Sequence, residues 1–181
     1  DDVAARLAGI DRQAKPALVP ALGRIERALD EAQRHWPVDP PQGVIHGDLF
    51  RDNVRWAAKE GREDDRIVAL IDWESASHGA FVYDLMVCVL SWCYGDRFEW
   101  NLARAMARAY DAERGLTEPE RGALRVAGLA AAVRFTTTRI TDFHLREGIG
   151  DRVVKDYRRF LARIDALSAM TSDELATRLL G

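Results

Sequence analysis

The stretch VIHGDLFRDNV, residues 44–54, sets a histidine, two aspartates and an asparagine among apolar residues. His46 stands two positions before Asp48, and Asn53 stands five after it. Burying polar groups without partners is costly. The stretch is therefore either turn chemistry, since Asp and Asn favour loops for their backbone bonds, or a site.

Working outward, GVIHGDLFRDNVRW (43–56) leads into the polar AAKEGREDDR (57–66) and then IVALIDWE (67–74). The outer pieces are apolar and β-branched, and the middle is polar with one glycine. This predicts two short strands joined by an exposed hairpin loop. Such a hairpin brings Asn53 within reach of Asp72, which follows the second strand. An acidic residue directly after VALI is costly unless it has partners.

Upstream, residues 3–35 carry helical spacing in Leu18, Leu22, Ile25 and Leu29, with Pro16 near a helix start and Pro20 in the first turn. WPVDPPQG (36–43) ends that helix. Downstream, the run Tyr83–Tyr94 is nearly all apolar and long enough for a buried helix. Asp84 within it needs buried donors, which favours a scaffolding role. The helix at 97–114 is amphipathic and closed by Gly115. Thr117, Pro119 and Glu120 form a capping box for an alanine-rich, central helix. A charged amphipathic helix over 151–170 and a short final one, capped by Ser172 or Asp173, complete the chain. The expected class is α+β, mostly α, one domain over residues 1–181 with an embedded β-hairpin.

The bulk properties narrow the function. The chain has 181 residues, is 48% hydrophobic and 30% charged, and carries a net charge of −3. These values suit one globular domain with a core. They argue against an electrostatic nucleic-acid binder, which shows a basic surplus. The apolar runs are too short to span a bilayer, and the acidic start DDVAARLAGIDR lacks the pattern of a signal peptide. Cys88 and Cys93 have no zinc or redox spacing and read as core residues of a reducing compartment, the cytoplasm.

Asp48, Asn53 and Asp72 all offer oxygen ligands or acceptors. Magnesium prefers such hard donors and completes its shell with water and phosphate oxygens. With two side-chain ligands on the cation, a separate aspartate in the same loop can hold a hydroxyl and aim it for in-line attack. Phosphoryl transfer needs little beyond such positioning and charge neutralisation.

The segment HGDLFRDN fits His-x-Asp-x-x-x-x-Asn, LIDWE supplies the later Asp, and YDLMVCVLSWCYG follows at 83–95. Together they resemble the catalytic and metal loops of the aminoglycoside phosphotransferase and choline kinase group, which has the protein-kinase-like fold. HGDLFRDNV with the later WC, and ALRVAGLAAAVRFTTTRI, are most similar to the bacterial homoserine kinase branch. The resemblance spans roughly residues 40–145. It implies that Asp48 holds the acceptor hydroxyl, that Asn53 and Asp72 hold Mg2+, that His46 is structural and that Asp84 braces the loop. ATP is the implied co-substrate and a small alcohol, homoserine or a similar amino alcohol, the implied acceptor. The implied fold is the helical C-terminal lobe. An N-terminal β-lobe with a strand lysine belongs to the family, and none of Lys15, Lys59 and Lys155 sits in such a context; the expectation is a lobe missing that partner.

Other readings stand beside this one. Glu74 is either a metal or substrate contact or a solvated loop glutamate. Arg134 and Arg139, five apart in the late helix, either bind a substrate carboxylate bidentately or pair with acids such as Asp142. A zinc site from His46, Asp48, His78 and His144 matches no ligand framework. An aminoglycoside is the alternative acceptor, although arginines near the site favour an anionic or zwitterionic one. A non-catalytic binding or scaffold lobe is the rival of another class.

Overall fold

The computed structural model describes residues 2–59, 62–145 and 155–181. Seven helices and four short strands are assigned among them. Two strands, β1 (Gln42–Ile45) and β4 (Ser77–Ala80), pair antiparallel. The other two, β2 (Val54–Lys59) and β3 (Arg62–Leu70), pair as a hairpin with bulges near Trp56.

The β region differs from the expectation in two ways. The expected hairpin is present as β2 and β3, with Val54 opposite Leu70 and Trp56 opposite Ile67, but a further strand at 42–45 lies outside it and pairs with β4, a strand of Ser, His, Gly and Ala that carries no β-branched residue. The polar stretch expected as loop is mostly strand, with Ala58 opposite Glu63 and Lys59 opposite Arg62. The turn at residues 60–61 lies outside the described residues.

The helices follow the sequence pattern more closely. The region 3–35 is two helices, α1 (Val3–Ala8) and α2 (Val19–Arg34), with Pro16 opening a short 3-10 turn and Pro20 in the first turn of α2. The buried helix is α3 (Phe81–Trp92), followed by α4 (Trp100–Arg114) and its cap Gly115 at φ 73. The capping box on Thr117 and Glu120 opens α5 (Glu118–Arg139). That helix is the hub of the fold. It packs against α1, α2, α3, α6 (Arg158–Ser168) and α7 (Ser172–Leu180). Residues 151–154 of the helix expected over 151–170 lie outside the described residues. The cap of α7 is Thr171, in a capping box with Glu174, rather than Ser172 or Asp173.

The core sits around α5 and α3. Leu22, Ile25, Met86, Val89, Leu90, Leu124, Leu129 and Leu167 are fully buried or nearly so. Burial of each such side chain contributes about 1.5–3 kcal/mol. Both cysteines are free thiols. Among the described residues no helix is long and apolar enough to cross a membrane.

The candidate active site

The loop 46–53 runs from the end of β1 to the start of β2, and α3 holds it from below. Near its N-terminus α3 presents Asp84, whose two carboxylate oxygens accept the backbone N–H of His46 at 2.9 Å and of Gly47 at 2.8 Å. The buried His46 ring ties the loop to the second strand pair. Its Nδ1 accepts the Asp48 N–H at 3.3 Å, and its Nε2–H donates to the carbonyl of Ile71 at 2.9 Å. Those two bonds select the Nε2–H tautomer.

Gly47 adopts φ 72, and a Cβ there would meet the carbonyl oxygen of Ser75 at 2.9 Å. Both the backbone angle and the close approach demand glycine. Arg134, on α5, donates to the carbonyl of Gly47 and, at 3.1 Å, to the hydroxyl of Ser75. Burial pushes the pKa of the Tyr83 hydroxyl up, and the nearby Arg134 partly opposes that. In this structure Arg134 therefore binds the loops that carry the site.

The hairpin register does the rest. Val54 faces Leu70, and the Ile71 N–H donates to the carbonyl of Asn53 at 3.0 Å. Asn53 and Asp72 thus flank the same end of the hairpin. The amide nitrogen of Asn53 donates to the carbonyl of Asp48 at 2.8 Å, which leaves its carbonyl oxygen available. Asp72 is exposed, adopts the left-handed conformation (φ 64, ψ 56) and carries no side-chain hydrogen bond or ion pair among the described residues. A non-glycine residue there is uncommon, and such conformations gather at functional sites. Among the described residues no three His, Cys, Asp or Glu side chains come close enough to hold a metal ion. Two oxygen donors, one neutral and one anionic, fit instead the hard cation that takes its remaining ligands from phosphate and water.

Asp48 faces a cavity of about 210 Å³ whose lining includes Glu74, Thr138, Arg139, Asp142 and Lys155. Burial pushes its carboxyl up from the ordinary range, Arg134 and Lys155 pull it down, and Asp72 and Asp52 push it up again. Arg139 lines the same cavity, lies over the Phe160 ring at 4.3 Å and donates to the carbonyl of Asp156. Burial, aided by Arg159, lowers its guanidinium to about 10, against the pull of Asp48 and Asp156. Glu74, in the turn after Asp72, touches this cavity and a second one of about 450 Å³ beside Tyr83. Asp142 is paired with Arg6 of α1 at 2.9 Å. Residues that the sequence reading missed are Trp92, which donates to the carbonyl of Leu49, and Ser75, the partner of Arg134.

The helical body thus presents this loop beside an aspartate that follows a hairpin strand, and the class comes from comparison with known families. The match is explicit in the sequence: residues 2–124 fit the model of the phosphotransferase enzyme family, and the chain belongs to that family. It is similar to the homoserine kinase of Nitrobacter hamburgensis, 41% identical over 121 residues, 66% of this chain and 35% of that protein. It is also similar to that of Granulibacter bethesdensis, 38% identical over 140 residues, 76% of this chain and 42% of that protein. The homoserine kinase of Brucella melitensis biotype 1 is 40% identical over 132 residues, 72% and 38%. The chain spans less than half the length of the curated relatives it matches.

Proposed function

We propose that these residues form the helical C-terminal lobe of an ATP-dependent small-molecule kinase, acting on homoserine or a similar amino alcohol. The single observation that carries the reading is the joint fixing of Asp48, Asn53 and Asp72 by Asp84, His46 and the hairpin register. Family membership and the three homoserine kinases support it from the sequence side. Among the described residues the strands form two two-stranded sheets, and the reading assigns half of the nucleotide cleft to the β-lobe that the resemblance pairs with this body.

In this reading the carbonyl oxygen of Asn53 and the carboxylate of Asp72 would hold Mg2+, which would supply charge neutralisation for the nucleotide's phosphates. Asp48 accepts a hydrogen bond from the acceptor hydroxyl and aims its oxygen at the γ-phosphorus. The new O–P bond forms as the bond to the ADP oxygen breaks, and the hydroxyl proton passes late to Asp48. Arg134 contributes by fixing Gly47, one residue before Asp48. The cavity around Asp48 mixes cations, Arg134, Arg139 and Lys155, with the acids Glu74 and Asp142. That mixture suits a zwitterion better than a polycation.

A phosphoryl-acceptor screen on the complete gene product, read as ADP release, tests the reading. Homoserine should be the preferred acceptor and Mg2+ should be required. Preference for an aminoglycoside would replace the substrate assignment, and nucleotide-independent, inert protein would favour the scaffold alternative.

A further inference from the structure

The loop that carries Asp48 is gripped at two points by one rigid helix. Asp84, near the start of α3, takes the N–H groups of His46 and Gly47. Trp92, the last residue of α3, takes the other side of the same loop. Its indole N–H donates to the carbonyl of Leu49 at 2.9 Å. The Ser91 hydroxyl stands at 3.4 Å from the same oxygen. The carbonyl of Trp92 in turn accepts from the Arg51 guanidinium at 2.8 Å, and that guanidinium lies 5.6 Å from the centre of the Trp92 ring. Asp48 is the residue between the two grips.

The C-terminal end of α3 is itself fixed. The buried guanidinium of Arg163, on α6, donates to the carbonyls of Leu90 and Tyr94, each at 2.8 Å. The indole of Trp92 also packs edge-on to Trp56 of the hairpin at 6.3 Å. Trp92 therefore touches the loop, the hairpin and, through Leu90, the helix packed beneath. Among the described residues its N–H has one protein acceptor, the backbone carbonyl of the residue following Asp48.

We infer that Trp92 is a positioning residue for the reaction: its N–H to Leu49, backed by the Arg51 contact to its own carbonyl, sets where the Asp48 carboxylate stands. The inference rests on the kinase reading above. A positioning contact of this kind is felt in turnover, because a displacement of about 1 Å in a catalytic group can cost on the order of a hundredfold. It is felt little in acceptor affinity, since Trp92 does not line the cavity that Asp48 faces; with Leu49 and Trp56 it lines a separate cavity of about 710 Å³.

The test is steady-state kinetics of the complete gene product with Mg-ATP and homoserine, comparing the parent with Trp92→Phe and Arg51→Gln. Phenylalanine keeps an aromatic ring and deletes the N–H donor. Trp92→Phe should lower kcat by about tenfold with both KM values within about twofold. Arg51 is exposed, so Arg51→Gln should fold normally and keeps the inference testable if Trp92→Phe does not fold. It should lower kcat by about two- to threefold, again with KM unchanged. Turnover unchanged in the variants that fold, or a loss shared equally between kcat and KM, would overturn the inference. An inactive parent would instead sink the kinase reading, so the two failures are distinguishable.

Discussion

Replacing Asp84 by alanine should unfasten the loop that carries the site. The carboxylate accepts two backbone N–H groups, at 2.9 and 2.8 Å, and no other described side chain takes them. Hydrogen bonds to a charged acceptor contribute about 1.5–3 kcal/mol each, so the gross loss is about 3–6 kcal/mol. The donors are only part-buried, and water can recover some of it; a net loss of about 2–4 kcal/mol remains. In a 181-residue chain each kcal/mol moves the thermal midpoint by about 2–4 °C, so Asp84→Ala should melt about 5–15 °C lower. Asp84→Asn keeps one oxygen acceptor and turns an NH2 toward the second donor, so it should recover no more than about half of that. Circular dichroism melts at 222 nm, checked by urea unfolding, read the effect. A midpoint for Asp84→Ala within about 2 °C of the parent would refute the reasoning.

Burial raises the Asp48 carboxyl above its ordinary value, so folding opposes its ionisation. Asp48→Asn should therefore stabilise the fold at pH 7 while cutting turnover about a hundredfold or more. The stabilisation should fade as pH falls toward the ordinary aspartate value, which parallel melts at pH 7 and pH 4 would show. Gly47→Ala combines a positive φ with a Cβ 2.9 Å from the Ser75 carbonyl oxygen. It should cost about 1–3 kcal/mol in urea unfolding and reduce turnover by more than the loss of folded protein. Arg163→Met strands the carbonyls of Leu90 and Tyr94 in the core. It should lower stability by about 2–4 kcal/mol, measured by the same unfolding curves.

Long periodic segments were legible in the sequence. The apolar run of α3 and the capping box of α5 carry their signal within a few residues, and both stand where expected. The strand partner of β1 was not. Its residues Ser77, His78, Gly79 and Ala80 have neither alternation nor branched side chains, and they pair only because β1 lies alongside. The polar arms of the β2–β3 hairpin read as loop because a two-stranded ribbon needs no apolar residue near its tip. At α7, Thr171, Ser172 and Asp173 are all good caps, and the glutamate three residues after Thr171 decides among them. Asp48, Asn53 and Asp72 stand out as polar residues in apolar surroundings, and the roles proposed for them come from the family resemblance of the motif. Their supports do not stand out: Trp92 looks like any core aromatic until its N–H is seen on Leu49. Arg134 looks like a substrate ligand until its donors are traced to Gly47 and Ser75.

Isothermal titration of Mg-ATP into the complete gene product, as parent, Asp72→Asn and Asp48→Asn, probes the convergence of the loop and the hairpin on one cation. The account predicts binding weakened by about tenfold or more in Asp72→Asn, since one of two protein ligands is lost, and affinity within about threefold of the parent in Asp48→Asn. Equal affinity in Asp72→Asn and the parent would contradict it.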